Sequence, residues 1–420
     1  MNGSKKIKAG AMQYVLVVSV VIAILVFAFI SLIHLQQKMT VKHRFSRDAI
    51  HNTQLGFDWL KVNNIAYDTE TKLHFSETPL TVTTLVKKHW GIFDLGIVQA
   101  TVKNERFQKA GILGVQNPKR KALVLKDNNQ SLVFVGNTKV IGDVLIPKQG
   151  IKSGNIGGTS FYGNRYIYGN TGHSSATLPP IKNRTFLKDF AKNISAIDGV
   201  PFELSDGLQM QQSFYEKTAI YQANNPIHLS NVSLGGNIII SSKSAIRVAA
   251  SASLEDIILI APKISIESDF HGNFQAIASK EIELKKKSVL QYPSALIVLE
   301  RKSATANPSE KQENQLLVSE NSEVRGILLF DSESETANFN AQITIAEKAL
   351  VKGEVYCSKN TALLGTVYGT VYTHNFLVKK AGGIYINHIY NGVIDAESLH
   401  ESYAGLQIAK ESNTVAKWVD

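Results

Sequence analysis

The chain has one cysteine in 420 residues, so Cys357 excludes an intrachain disulfide. No CxxC or HExxH pattern occurs, which removes the common thiolate and two-histidine zinc signatures. Gly157 and Gly158 are not followed by a Gly-Lys-Ser/Thr ending, so no phosphate-binding P-loop is present. Ser174 and Ser175 stand beside His173 without a G-x-S-x-G elbow. No basic stretch interleaved with aromatics accompanies the net charge of +10, and no nucleic acid partner is predicted. The dispersed lysines read as a solvated surface, with one run at Lys285, Lys286 and Lys287.

One long hydrophobic run is present. Residues Tyr14 to Leu35, YVLVVSVVIAILVFAFISLIHL, lack charge, proline and glycine. At 1.5 Å per residue, about 22 residues cover roughly 33 Å, enough to cross a hydrocarbon core of about 30 Å. The run exits into HLQQKMTVKHR with no Ala-x-Ala site, and no cysteine follows it for lipid attachment. This predicts an uncleaved single-pass anchor rather than a secretory signal. Lys5, Lys6 and Lys8 before the run nearly balance Lys38, Lys42, Arg44 and Arg47 after it. A long domain translocates largely regardless of such charges, so residues 1–13 are read as a short cytoplasmic leader and the body as extracytoplasmic.

From Gln36 to Asn63 there is no proline, and Gly56 is the only glycine. Apolar residues from Leu35 to Val62 recur at three-to-four spacing, as in an amphipathic helix. The prediction is one continuous helix, apolar all round over 14–35 and a stalk over 36–64. This layout resembles type IV pilins and the pseudopilins of type II secretion. Their short basic leader ends in Gly, matched here by MNGSKKIKAG with Gly10 before Ala11. The resemblance implies processing between Gly10 and Ala11 and a long helix packed on a β-rich head. Most members carry Glu at the fifth mature position, where this chain has Val15.

The period then shifts from helical to alternating. LTVTTLV, IFDLGIVQATV and AGILGV predict a small antiparallel β unit over 65–115, with Trp90 and Phe93 in its core or against the stalk. From Leu132 onward, three- to four-residue apolar strands alternate with Gly-Asn or Gly-Asp corners. Ile239, Ile258, Ile277 and Leu296 head comparable strands at a step of about 19 residues, and periods near 20 predict a solenoid. Inward positions are expected to be Ile, Val, Leu and Ala, and outward positions Lys, Glu, Ser, Thr and Asn. The texture resembles right-handed parallel β-helices of the pectin-lyase-like type. LVKGEVYCSKNTALLGTVYGTVYTH, Leu350 to His374, resembles the rungs of bactofilins. The fold class expected is therefore mainly β: a transmembrane helix and stalk, the small β unit, then a parallel β-helix over 116–395. A β-sandwich is the alternative.

Insertions are expected near 184–226 and 303–315, the second from the polar SATANPSEKQENQ. Arg184 to Asn193 reads as a helix that could cover an open end. AESLHESYAGLQIAKE, from Ala396, reads as a helical cap within a polar tail, 396–420.

A β-helix invites carbohydrate chemistry, which needs paired carboxylates or acidic calcium ligands beside a base. No paired-Asp motif occurs. Asp269 and His271 come nearest, but Phe270-His271-Gly272 breaks the Gly-His-Gly element of the pectin-lyase-like hydrolases. Asp143, Asn164 and Asn170 are read as turn formers. No catalytic residue, cofactor or metal is assigned, and no enzyme activity is expected. Tyr162, Tyr166 and Tyr168 are read as a binding surface for sugars or another protein. Expected partners are the lipid bilayer, envelope or pilus-assembly proteins and glycans. The functional expectation is a structural, adhesive or assembly role, with a glycan-binding or polysaccharide-degrading enzyme as the alternative.

Overall fold

A computed structural model describes residues 9–75, 81–193, 197–300, 315–333, 338–408 and 412–420. The protein is mainly β with one long apolar N-terminal helix. The expected loop over 303–315 lies outside the described residues but for Gln315, as do Lys5, Lys6 and Lys8.

Helix α1, Ala9–Val62, is a single element of 54 residues, about 80 Å long at 1.5 Å per residue. Four strands follow: β1 (Thr71–Leu73), β2 (Thr81–Trp90), β3 (Phe93–Val102) and β4 (Glu105–Gln116). They neighbour one another in sequence order, and two late segments, Ala404–Gly405 and Asn413–Val419, pair antiparallel with β4. The chain divides into two compact units. The first holds Met1–Trp59, Glu70–Leu85 and Val98–Gln108; the second holds Leu60–Thr69, Val86–Ile97 and Lys109–Asp420.

The second unit is dominated by one parallel ladder. It runs through Gly199–Pro201, Thr218–Ala223 and Ile238–Ser242 into the long strands Ser253–Ile266, His271–Leu284 and Val289–Glu300. It continues through Glu323–Ser332, Leu350–Leu363 and Thr366–Lys380. Strand β5, Leu123–Leu125, then adds to Thr366–Lys380, with Val371 opposite Leu123, and Val144–Ile146 adds to β5. The first strands of the body in sequence therefore stack on its last ones.

Each long strand bends as it runs. Within Ser253–Ile266, Leu254 pairs with Leu234, Ile258 with Ile239, and Ile264 with Ile246. One strand thus lines three successive faces round a shared interior, filled by Ile240, Leu259, Phe274, Leu296, Phe330 and Val371 among others. Among the described residues, the body's strand pairings are parallel apart from two short hairpins, at Asn155–Ser160 and Leu377–Ile386. The β-sandwich alternative requires antiparallel ones.

Two ladders of like residues follow the stack. Gly326, Gly353 and Gly369 are register partners with φ of +147°, +152° and +143°. A Cβ on Gly353 would sit 1.9 Å from the Gly326 carbonyl oxygen. The sequence repeats Arg-Gly-Ile, Lys-Gly-Glu and Tyr-Gly-Thr at this corner because only glycine allows both the conformation and the approach. An asparagine ladder joins Asn360 to Asn375 (3.0 Å), Asn375 to Asn128, and Asn128 to Asn387 (2.9 Å). Asp269, Lys287, Asn321 and Lys348 take positive φ at corners, so lysine shares a role expected of Gly, Asn and Asp alone.

Four expectations are corrected. The 19-residue step holds from Ile239 to Ile258, but Ile277 pairs with Ile260 and Ile297, and Leu296 with Ala276. Bulges absorb the difference between turns of unequal length. Outward positions on one face are Ile239, Ile258, Ile277, Ile297 and Leu329, all buried in a second core. They pack with Trp90, Phe93, Leu95, Phe214, Leu406 and with Leu187 of α2 (Arg184–Phe190). A face covered on both sides reads as continuous runs, III, IILI and ALIVL, rather than as alternation. The stretch Pro201 to Pro226 is not an excursion, since Gln209–Gln212 and Thr218–Ala223 belong to the parallel sheet. Among the described residues the tail after Ala396 is not helical: Ala404–Gly405 and Asn413–Val419 pair with β4, and Val415 lies opposite Leu113. Edge hydrogen bonds on β4 outweigh a weak helical spacing.

Substituting Gly353→Ala should destabilise the protein by about 2–4 kcal/mol, from positive φ and backbone overlap together. Chemical denaturation should show a lowered midpoint; an unchanged midpoint would contradict the glycine corner. Burial pushes the Cys357 thiol up to about 12. Native protein at pH 8 should therefore resist iodoacetamide, and unfolded protein should label fully, as read by intact mass.

Candidate functional site

Helix α1 changes character along its length. Every described residue from 10 to 44 is exposed, with Met12 at 75% and Phe27 at 72%. Ser19, inside the apolar run, donates to the Leu16 carbonyl at 2.8 Å, and Thr40 to the Gln36 carbonyl at 2.9 Å. Polar side chains that bond their own helix need no water, which suits a hydrocarbon surround.

Within the first unit, the later part of the helix faces protein. Ala49, Thr53 and Phe57 are buried. Thr53 donates to the Ala49 carbonyl at 2.9 Å and lies 3.3 Å from that of Phe107. A Cβ on Gly56 would meet Val98 Cγ1 at 2.5 Å, so this glycine permits close approach of helix and strand. That contact offsets the cost of about 1 kcal/mol for glycine inside a helix. Lys103 lies 4.9 Å over the Phe45 ring. The 4.0 Å Lys42–Glu105 pair is solvent-exposed enough to add little.

Gly10 and Ala11 lie in the first turns of α1, both exposed, and Val15 is exposed as well. The three tyrosines are exposed but held by different neighbours. Tyr166 stacks on Phe161 at 5.2 Å and meets Phe134 edge-on. Tyr168 lies under Lys139 Nζ at 5.2 Å, and Tyr162 projects at 63% exposure. The structure places them near one another in sequence without stacking them into a ladder.

The residues weighed for chemistry act as corners. Asp269 has φ of +63°, and exposed His271 contacts its carbonyl at 3.1 Å through Nδ1. Asp143 accepts from the Asn170 backbone at 2.9 Å and from Lys121 at 2.9 Å, which hold its carboxyl below the ordinary range. His173 is exposed beside buried Ser174. Among the described residues no group of three His, Cys, Asp or Glu is arranged to hold a metal. Three buried carboxylates are committed to the fold. Asp331 holds Arg184 at 2.6 Å and Lys188 at 3.1 Å, tying α2 to the sheet. Glu354 accepts from the Leu406 backbone at 2.6 Å. Asp94 pairs with Lys87 at 2.9 Å and accepts from Gln407 at 2.7 Å.

Sequence reading passed over the surroundings of Asp94. His89 is stacked between Tyr67 at 3.6 Å and Phe186 at 3.7 Å, with Nδ1 3.4 Å from Asp94 Oδ1. Beside them lies a cleft of about 570 Å³. The available signal was an acid inside the apolar strand IFDLGIV.

No protein-family model matches the chain, and no curated protein matches it. Among solved structures it is similar to the competence-associated pilin ComZ from Thermus thermophilus, at 8% identity and a TM-score of 0.22. That similarity covers 89% of this chain and 96% of the pilin. At such values it does not establish the fold.

Substituting Leu25→Arg places a charge at the middle of the exposed apolar run, costing about 2.5–3.5 kcal/mol for membrane insertion. The variant should shift measurably from the carbonate-resistant membrane fraction to the soluble or aggregated one. Wild-type partitioning by the variant would contradict a spanning role for this segment.

Proposed function

We propose that the protein is a single-pass membrane protein whose β-rich body stands outside the cytoplasm and whose role is structural, adhesive or in assembly. Its place would be that of a minor pilin-like component of a pilus or secretion apparatus. The observation that carries this is helix α1 itself. Residues 10 to 44 are wholly exposed, the apolar run lies among them, and the same helix turns into a packed element from about Phe45. An apolar surface of this length needs lipid, or similar helices, to cover it.

The body is read as a parallel β-helix. Parallel pairing on three faces, the glycine and asparagine ladders and one shared interior support this. Such a stack provides a stiff scaffold. A structural rather than catalytic role is supported by Asp94, Asp331 and Glu354, each of which is engaged in holding segments together. The partners proposed are the bilayer and other envelope or assembly proteins.

N-terminal sequencing and mass analysis of protein extracted from membranes of a producing cell with a prepilin peptidase test the assembly reading. A chain beginning at Ala11, especially N-methylated, is expected. An intact Met1, or a start elsewhere, would remove the pilin-like part of the proposal.

A further inference from the structure

A lysine and an aspartate are buried together beside the cleft, whose walls include Tyr67, Lys87, His89 and Gln407. Lys87 Nζ lies 2.9 Å from Asp94 Oδ2, and the two side chains are 5% and 0% exposed. The donors around this carboxylate are unevenly shared. Oδ2 also accepts from Gln407 Nε2 at 2.7 Å and from the Tyr67 hydroxyl at 3.2 Å. Oδ1 is equally buried and has no hydrogen-bond partner among the described residues. His89 Nδ1 stands 3.4 Å from Oδ1 and has no hydrogen-bond partner either.

As an ion pair this arrangement is costly. Two charges taken out of water need their remaining lone pairs and protons satisfied, and a bare carboxylate oxygen in the interior is destabilising. As an amide it is well matched. Joining Nζ to Cγ keeps Oδ2, the oxygen that holds two further donors, as the amide carbonyl. It discards Oδ1, the oxygen that nothing binds, and the charge on both side chains disappears with it.

The same atoms are placed for the reaction. The fold holds Nζ within hydrogen-bond reach of the carboxyl group, so little orientational entropy remains to be lost. Gln407 Nε2 and the Tyr67 hydroxyl point at the oxygen on which negative charge develops. Burial, and after it the charge of Asp94, push the Tyr67 hydroxyl up, so it stays a donor at neutral pH. His89 is stacked between Tyr67 at 3.6 Å and Phe186 at 3.7 Å, which fixes its ring beside the leaving oxygen.

We propose that Lys87 and Asp94 condense to an intramolecular isopeptide bond. The C–N bond forms between Nζ and Cγ, and the Cγ–Oδ1 bond breaks. Lys87 gives up two of its three ammonium protons, and Oδ1 leaves with them as water, one proton passing through His89. A cation and an anion become a neutral amide and water, so no outside reagent is needed and net charge is unchanged. The adjoining cleft gives the water a way out. The product staples β2 to β3 across the turn that carries Trp90, Ile92 and Phe93 into the second core.

Peptide mapping of the full chain, extracted from membranes in detergent, tests this independently of how the N-terminus is processed. Trypsin cuts after Lys88 and Lys103, and the peptides that end there should stay joined and be lighter by one water. Fragmentation should place the junction at Lys87 and Asp94. Lys87→Arg keeps the charge but offers no amine, and its peptides should separate without loss of water. His89→Phe keeps the aromatic stack but carries no proton, and linkage in newly made protein should form about a hundredfold more slowly. Separate, full-mass peptides from the wild type overturn the proposal. So does a loss of water that persists in Lys87→Arg, which would mark dehydration at another residue. Undiminished linkage in His89→Phe overturns the part assigned to His89.

Discussion

The second unit depends on one constraint: a face of its parallel ladder is apolar on both sides and must be covered. Ile239, Ile258, Ile277, Ile297 and Leu329 point away from the interior yet are buried. Each such side chain contributes roughly 1.5–3 kcal/mol when removed from water. The cover is assembled from distant segments: the turn between β2 and β3, helix α2, Phe214 and Leu406. Their attachment is polar and specific. Gln275 accepts from the Ile92 backbone at 2.9 Å and donates to the Trp90 carbonyl at 2.9 Å, so a side-chain amide completes the turn as a strand would. Gly91 is required there, since a Cβ would lie 2.1 Å from Gln275 Oε1. Trp90 adds a bond to the Asp256 carbonyl at 3.2 Å, and Lys417 reaches Asp256 at 2.6 Å. Apolar area supplies the drive, and these bonds set the register.

The same constraint explains the route of the chain. The strands from Leu123 to Ile146 join the far end of the ladder, against Thr366–Lys380, and the chain must then return to begin Gly199–Pro201. Helix α2 lies on that return, and buried Leu187 belongs to the covering core. Asp331 takes both Arg184 and Lys188, so the helix is held to Glu323–Ser332 by a buried carboxylate. With two cations on one buried carboxylate, removing Asp331 takes a partner from both Arg184 and Lys188, whereas removing one cation leaves the other in place.

The sequence made the long helix, the switch to β structure and the short-strand texture legible, because each has a strong local period. It also exposed the covered face, though in disguise. The runs III, IILI and ALIVL departed from alternation, and the departure itself marked strands buried on both sides. The ladder's register was not legible, since bulges and unequal turns break the step after Ile258. The tail was misread because Ala396 onward carries helical spacing, while the decisive influence, the free edge of β4, lies far away in sequence. The cleft was missed for a similar reason. Tyr67, Lys87, Asn183 and Asn413 come from four separate stretches, and only Asp94 in an apolar strand gave a local hint.

The pairing of Asn413–Val419 with β4 has a kinetic consequence. Val415 stands opposite Leu113, so nearly the whole body is an insertion between two adjacent strands of one small sheet. Closing that pair requires the intervening chain to have brought its ends together. Loop-closure entropy grows only slowly with length, so the insertion is tolerated thermodynamically. The body gains its parallel pairs mainly between segments some 20 residues apart, and it can grow from neighbour to neighbour. The non-local pairings include β5 with Thr366–Lys380, Leu132–Val135 with His388–Tyr390, Lys139–Ile141 with Val393–Asp395, and β4 with Ala404–Gly405 and Asn413–Val419. Such contacts repay their entropy late. The seam at Leu123 and Val371 and the final strand on β4 therefore carry a larger loop-closure cost than the neighbour-to-neighbour pairs of the ladder.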